Sequence, residues 1–404
     1  MSPLPVTFDD VTAAADRLDH GIARTPCKHS QTVSELTGAE VFIKFENLQF
    51  TASFKDRGAR NRVLTLTPDQ RRRGVVAASA GNHAQGLAHA CRELGVPVTI
   101  VMPESTPFTK VHNTTALGAE VELSGQRLGD SMARADELAA RGSTLVPPFD
   151  DHDVIAGQGT VGLEMLQDFH DLEVIVVPVG GGGLLGGMAV ATKHLSPGIE
   201  IIGVQTEAFP GMIQALAGEP TVPTAESTVA EGIAVKAPSE LTLELARRLV
   251  DDMVTVGEGT IENAVGIYLE IEKMVAEGAG AASLAALLEH PDRFTGRRVG
   301  IVLSGGNIDL RVLSEVTMRH LVRSGRLVRL RVTVDDTPGN LAGVTAIVAV
   351  ERANVVEIGH HRLSGVLGRR SDIDLLLETM GPDHIDHVRV ALEQAGHDVE
   401  LIEA

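Results

Sequence analysis

The sequence predicts an α/β protein with two doubly wound parallel-sheet subdomains and a smaller C-terminal ferredoxin-like domain. Three observations carry this. Short apolar strands alternate with helical segments from Gly74 to Leu303, the pattern of βαβ units and a parallel sheet. Glycine-rich loops fall directly after several of those strands. From Val328 onward the order becomes βαββαβ, over about 75 residues, enough for a small domain.

In chain order, Phe8 to Leu18 reads as an amphipathic helix with acids early, Thr25-Pro26 breaks it, and Val41 to Phe45 is a short strand. Arg57 to Leu66 is helical, which puts Lys55 at or near a helix N-terminus. Strands follow at Gly74–Ala78, Val98–Met102 and Gly118–Leu123, with helices at Ala84–Leu94, Thr109–Leu117 and Ser131–Arg141. A second run begins with a helix at Gly159–Asp168 and a strand at Val174–Val179. The loop Gly180–Gly187 then feeds a helix at Met188–His194 and a strand at Ile199–Gln205. Beyond the looser stretch Pro210–Pro238 come a helix at Leu241–Leu249 and a strand at Met253–Val256. Helices at Thr260–Ala276 and Gly280–Leu288 and a strand at Arg298–Leu303 complete the run. In the tail, strands are expected at Val328–Val334, Val355–His361, Asp372–Thr379 and Asp398–Ile402, with helices at Gly339–Arg352 and Pro382–Ala395. These patterns set domains at 1–320 and 328–404, with a smaller subdomain of the first spanning about 52–148.

Composition limits the partners. The chain has 404 residues and is 43% hydrophobic, enough for two or three cored domains. A formal charge of −19 repels nucleic acid and anionic membrane alike, and a chain with no Trp and one Tyr is poorly furnished for stacking bases. Two distant cysteines, Cys27 and Cys91, give no disulfide framework and fit a reducing cytoplasm. Met1 to Asp10 lacks the basic start of a signal peptide. Val174 to Thr192 is uncharged, yet its six glycines and Pro178 suit a buried strand, loop and helix start better than a membrane span. Metal-ligand spacing is absent, since His360 and His361 are adjacent on a strand and face opposite ways.

Four stretches carry the chemistry. Lys55 lies in Thr51-Ala-Ser-Phe-Lys-Asp-Arg-Gly-Ala59. Alone it reads as a solvated charge; with its amine partly neutral it is able to form a Schiff base with a carbonyl. Gly180 to Gly183 either makes a tight strand-to-helix turn or aims several N–H groups at one phosphate, helped by the helix dipole. Ser79-Ala-Gly-Asn-His83 follows a strand in the same way, with N–H groups and a hydroxyl suited to a carboxylate; a plain capped turn is the other reading. Ser304-Gly-Gly-Asn307 repeats the placement and offers a serine to a heterocycle nitrogen, or is an ordinary turn.

Together, Ser53-Phe-Lys55, Arg57-Gly-Ala, Ser79-Ala-Gly-Asn-His-Ala-Gln-Gly86, Gly180-Gly-Gly-Gly-Leu184 and Ser304-Gly-Gly-Asn307 resemble the pyridoxal-phosphate enzymes of the tryptophan-synthase-β fold type (fold type II), and among them the threonine ammonia-lyases. The resemblance runs over roughly residues 20–315. It implies pyridoxal 5′-phosphate as cofactor, held by Lys55 as a Schiff base, with Lys55 also removing the substrate Cα proton. It implies Phe54 against the ring, Asn82 on the ring 3′-oxygen, and Gly180, Gly181, Gly182, Gly183 and Leu184 on the phosphate. Ser79, Ala80, Gly81 and His83 would line the substrate carboxylate site, and Ser304 would meet the pyridine nitrogen. A neutral serine does not force that nitrogen to protonate, which favours prompt departure of a group from Cβ over a long-lived carbanion. The implied reaction is dehydration and deamination of L-threonine to 2-oxobutanoate and ammonia, with serine giving pyruvate.

The tail resembles an ACT-type regulatory domain through Asp336-Thr-Pro-Gly-Asn-Leu341. It implies a homo-oligomer (dimer or tetramer), isoleucine or valine as allosteric effector near Gly339, Asn340 and Leu341, and a role at the start of isoleucine biosynthesis. A non-catalytic amino-acid sensor is the alternative from another class, and the intact Lys55 with its three loops speaks against it. Serine racemases of this fold carry a second serine as the base on the opposite ring face, where this chain has Ala80. Cysteine-synthase-type replacement pairs with a Thr-Ser/Gly-Gly-Asn-Thr loop, unlike Ser-Ala-Gly-Asn-His. Two departures stand out: Ala52 where the family commonly has glycine, and Asp56 after the lysine, which would favour protonated Lys55 if it faced the site.

Overall fold

A computed structural model describes residues 3–362 and 370–402; residues 1–2, 363–369 and 403–404 lie outside the described residues. The chain forms two compact units, Met1–Ile308 and Asp309–Ala404. The expected boundary at 320 falls inside the helix Leu310–Arg323, which packs on the strand Leu327–Asp335 of the second unit.

The larger sheet of the first unit runs in the order Cys27–His29, Glu40–Phe45, Arg298–Leu303, Val174–Pro178, Glu200–Thr206, Asp252–Val256. Its pairs are parallel except the first. The central strand Val174–Pro178 is buried throughout, as an unbroken apolar run in a sheet covered on both faces should be. The chain between the second strand of this sheet and Val174 builds a separate parallel sheet, ordered Glu120–Leu123, Val98–Met102, Val75–Ala78, Thr144–Leu145. The expected α/β class with two parallel sheets is what forms. No helix among the described residues is long and apolar enough to cross a membrane.

Helix starts follow local chemistry where a cap is present. Thr7 and Asp10 form a reciprocal capping box at the head of Phe8–Leu18, with the Thr7 N–H donating to Asp10 at 2.8 Å. Asp151 accepts from the Val154 N–H at 2.9 Å and starts the helix His152–Asp168. That helix begins seven residues before the expected Gly159. Its glycines lower intrinsic propensity but permit backbone contact: a Cβ on Gly157 would lie 2.7 Å from the Cα of Gly58. The helix Gly183–Leu195 likewise takes in Gly183, Gly186 and Gly187, which were expected in a loop. A Cβ on Gly187 would sit 2.3 Å from the Ile155 carbonyl oxygen, so the two helices touch backbone to backbone. The expected helix Thr260–Ala276 is instead Glu258–Ile267 followed by a π-turn at Tyr268–Glu272, ended by Lys273 at φ 58°.

The second unit has the ferredoxin-like form. Its antiparallel sheet runs Asn354–His361, Arg370–Glu378, Leu327–Asp335, Asp398–Ile402. Val328, Leu330, Val332 and Val334 alternate onto a core shared with Val344 and Val348 of the helix Asn340–Val350 and with Val388 and Leu392 of the helix Pro382–Gln394. Arg329, Arg331 and Thr333 take the other face, where Arg331 grips Asp374 through two bonds of 2.8 and 2.9 Å.

Candidate active site

Loops that follow the carboxyl ends of parallel strands meet in the first unit, as expected for an open α/β sheet. The segment Thr51–Phe54 and the turn Ser304–Asn307 are zipped together. The Phe54 N–H donates to the Ser304 carbonyl at 3.1 Å, and the Gly306 N–H to the Ala52 carbonyl at 2.9 Å. Ser53 and Gly305 form an antiparallel bridge, and the Asn307 amide donates to the Thr51 carbonyl at 2.6 Å. Ala52 is held at φ 55°, a left-handed conformation that costs an alanine about 1 kcal/mol and a glycine almost nothing. Lys55 is the first residue of the helix Lys55–Leu64.

The Lys55 Nζ donates to the Pro148 carbonyl at 2.8 Å and lies 5.0 Å from the Phe54 ring centroid. Burial pulls its ammonium down to about 8, and the Glu277 charge only partly opposes this. A useful fraction of neutral amine therefore exists near neutral pH. Asp56 does not face this amine. Its carboxylate turns back to accept the Thr51 N–H at 2.9 Å and the Thr51 hydroxyl, while burial pushes it up to about 6. The acid beside the lysine is thus a clasp on the loop.

Pro148 belongs to a short strip, Val146 to Phe149, that ties the site together. The His83 Nε2–H donates to the Val146 carbonyl at 2.8 Å. This leaves His83 Nδ1 as a buried lone pair without a partner among the described residues. Burial, then the Lys55 charge, drive the His83 imidazole down to about 3, so it is neutral. At its helix start His83 offers an anion only its backbone N–H. Phe149 packs under the glycine loop: a Cβ on Gly181 would lie 2.2 Å from its ring. Gly182 is at φ 91° and is the N-terminal boundary of Gly183–Leu195.

Both helices aimed at this strip lack caps. Asn82–Leu94 starts after Gly81 and Gly183–Leu195 after Gly182, each without a capping side chain and without an acid in its first turn. Their first N–H groups have no intrahelical partner and sit at the positive ends of the helix dipoles. Two anions, a phosphate and a carboxylate, are the natural complements. The Ser79 hydroxyl accepts from the Gly81 N–H at 3.3 Å, which shapes the loop, and Ala80 packs on the small-sheet core. Leu184 is buried at the head of its helix, and Ser304 is 3% exposed. The expected catalytic, cofactor and carboxylate residues are therefore gathered by connected backbone. Gly339, Asn340 and Leu341 lie in the other unit, where Gly339 at φ 101° precedes the helix Asn340–Val350 and the Asn340 amide donates to the Asp335 carbonyl at 2.6 Å.

Three features escaped the sequence. Glu277, at the head of the helix Gly278–Glu289, accepts from the Asn82 amide at 2.7 Å, and burial pushes its carboxyl up to about 7. Lys110, on the helix Phe108–Ala116 beside the smaller sheet, reaches Glu231 of the larger half at 2.6 Å. Arg57 is buried two residues beyond Lys55 between two carboxylates. It donates to Glu46 at 2.7 and 2.8 Å and to Glu164 at 2.7 and 2.9 Å. Lys44 completes the cluster, donating to Glu164 at 2.5 Å and to the Thr25 carbonyl at 2.6 Å. An acid directly before the run Gly278-Ala-Gly-Ala281 was the one local signal available for Glu277.

Comparison with known proteins agrees with this geometry. The chain is 44% identical to the L-threonine ammonia-lyase of Thermotoga maritima over 98% of its own length and 100% of that protein. It is 45% identical to the L-threonine dehydratase catabolic TdcB of Escherichia coli K12, over 78% of this chain and 97% of that one. Among solved structures, maize serine racemase superposes with a TM-score of 0.73 at 32% identity, covering 79% of this chain and 98% of that chain. Residues 18–305, which include Lys55, the Ser79–His83 loop, the Gly180–Gly183 loop, Glu277 and Ser304, match the pyridoxal-phosphate dependent enzymes, and it is to that family that the chain belongs.

Proposed function

We propose that the chain is a threonine ammonia-lyase, converting L-threonine to 2-oxobutanoate and ammonia and L-serine to pyruvate. The observation that carries this reading is the Lys55 amine, lowered to about 8 by burial and placed beside two uncapped helix starts. The residues present fit pyridoxal phosphate. The Gly181–Gly183 cradle has no room for side chains against Phe149, Met212 and Thr242, and its helix start without a side-chain cap suits a phosphate. When bound, pyridoxal phosphate supplies a carbonyl carbon for amines and a ring that takes up electron density from the substrate Cα.

Lys55 Nζ would hold that carbonyl carbon and, freed when the substrate amine takes its place, would accept the Cα proton. Gly180 to Gly183 and Leu184 would bind the phosphate, Phe54 would back the ring, and Asn82 would meet the 3′-oxygen. Ser304 would offer the ring nitrogen a neutral hydroxyl. The Ser79–His83 loop binds the substrate carboxylate through backbone N–H groups and the Ser79 hydroxyl, which aligns the Cα–H bond with Lys55. The Cβ hydroxyl would leave as water with the proton that Lys55 took from Cα, and the freed enamine would tautomerise to an imine that one water hydrolyses to the oxo acid and ammonia. Ala80 has no proton to deliver to the opposite face, so elimination prevails over racemisation.

The test is oxo-acid release from L-threonine and L-serine, with chiral analysis of the unreacted serine. 2-Oxobutanoate formation with serine remaining L supports the reading; D-serine accumulating faster than pyruvate overturns it in favour of a racemase.

The second unit is proposed to be an ACT-type domain that binds isoleucine or valine, in a cytoplasmic homo-oligomer acting at the entry to isoleucine synthesis. Its βαββαβ sheet supports this, as does the match of the Thermotoga protein across the tail and the shorter reach of the Escherichia relative. Gly339, Asn340 and Leu341 would meet the effector. Titration calorimetry with each amino acid is expected to show binding heat, and half-saturation for threonine to move about 5-fold or more. Neither heat nor a rate change with either ligand would remove the effector role.

A further inference from the structure

We propose that Glu277 is a positioning residue that locks the Asn82 amide with an N–H turned to the cofactor ring oxygen. The inference rests on the cofactor reading above. A primary amide can sit in either of two flips that differ only in exchanging oxygen and nitrogen. In one flip Asn82 donates to the ring oxygen; in the other it confronts that oxygen with its own.

A chain of bonds that begins at an acceptor-only carbonyl fixes the choice. The Thr51 carbonyl can only accept, and it takes an Asn307 N–H at 2.6 Å. The same Asn307 nitrogen donates its other hydrogen to Asn82 Oδ1 at 2.8 Å. Asn82 Nδ2 then donates to Glu277 Oε1 at 2.7 Å. One Asn82 N–H is spent on Glu277 and the second remains for a ligand. Flipping the amide would set nitrogen against nitrogen at Asn307 and oxygen against oxygen at Glu277.

The surroundings are shaped for this carboxyl. Glu277 stands at the N-terminal boundary of Gly278–Glu289 but does not cap that helix. Its backbone N–H instead donates to the Gly305 carbonyl at 3.1 Å, which sends the side chain into the cleft beside the Ser304 turn. A Cβ on Gly305 would approach Oε1 to 2.6 Å, and one on Gly232 to 3.3 Å. The charged groups acting on Glu277 are Glu231, Lys110 and Lys55, from three separate elements.

The experiment compares wild type, Glu277→Ala and Glu277→Gln by pyridoxal phosphate dissociation constant and by the visible absorbance of the bound cofactor. Glu277→Ala is expected to weaken binding about 10-fold and to shift the band, since Asn82 loses one anchor. Glu277→Gln keeps an acceptor oxygen at the same place and is expected to return affinity to within about 3-fold of wild type. Wild-type affinity and spectrum in Glu277→Ala would overturn the proposal, as would failure of Gln to rescue, which would assign the effect to charge. Should Glu277→Ala not fold, Asn307→Ala removes the opposite anchor and is expected to shift the same band; an unshifted band overturns the proposal. A wild-type protein that takes up no cofactor would instead refute the function reading itself.

Discussion

Lys55→Ala is expected to lower oxo-acid release from threonine by about 10³-fold or more while leaving the fold intact. Removal of a positioned proton acceptor alone costs about 10²- to 10⁴-fold, or roughly 3–5 kcal/mol of transition-state stabilisation. The variant also loses the covalent hold on the cofactor, so the upper part of that range applies. Stability should change little, because among the described residues the Lys55 side chain makes one hydrogen bond, to the Pro148 carbonyl, and no salt bridge. The glycine cradle is untouched, so cofactor uptake should persist without the absorbance of a lysine adduct. Steady-state kinetics with parallel urea unfolding separate the two effects. Activity near wild type would contradict the assignment.

Arg57→Met is expected to destabilise the first unit by about 3–5 kcal/mol, read as a fall in the urea midpoint at unchanged slope. The guanidinium engages two carboxylates at once and also donates to the Thr160 hydroxyl at 3.1 Å. Methionine fills similar volume but leaves Glu46 and Glu164 with only Lys44 to balance them. Burial raises the Glu46 carboxyl, yet the charge and hydrogen bonds of Arg57 more than offset this and hold it below its usual range. A depressed acid contributes stability that is present above the unfolded pKa and lost as pH falls through the folded one. In the variant this acid-side loss should shrink or reverse. Arg57→Lys should not rescue, because a point ammonium cannot make two forks. Added salt should spare the wild-type cluster, which water barely reaches. Arg57 sits two residues from Lys55 on the same helix start, so activity should fall as well.

The parts of the site that were legible in the sequence are those made within one turn. Lys55 beside Phe54, four glycines after an apolar strand, and the loops at Ser79 and Ser304 are each ambiguous alone, and become legible only as an ordered set that resembles a family. Glu46, Glu164 and Glu277 do not, because a single acid in sequence looks like surface charge until the fold sets it against Arg57 or Asn82. The same limit hid the strip Val146 to Phe149, whose function lies in two carbonyls and one ring face. Helix boundaries failed where tertiary contact overrode propensity. Gly157 precedes the helix start expected at Gly159 and Gly187 was expected in a loop, yet both are helical because neighbouring backbone passes where a side chain would stand. Asp56 drew attention by adjacency, but its bond to Thr51 shows that neighbours along a helix start point apart.

The most direct measurement is borohydride reduction of the protein loaded with pyridoxal phosphate, followed by peptide mapping by mass spectrometry. The structure predicts one pyridoxyl group, on the Lys55 Nζ. A group on any other lysine, or none after loading, would contradict the central claim.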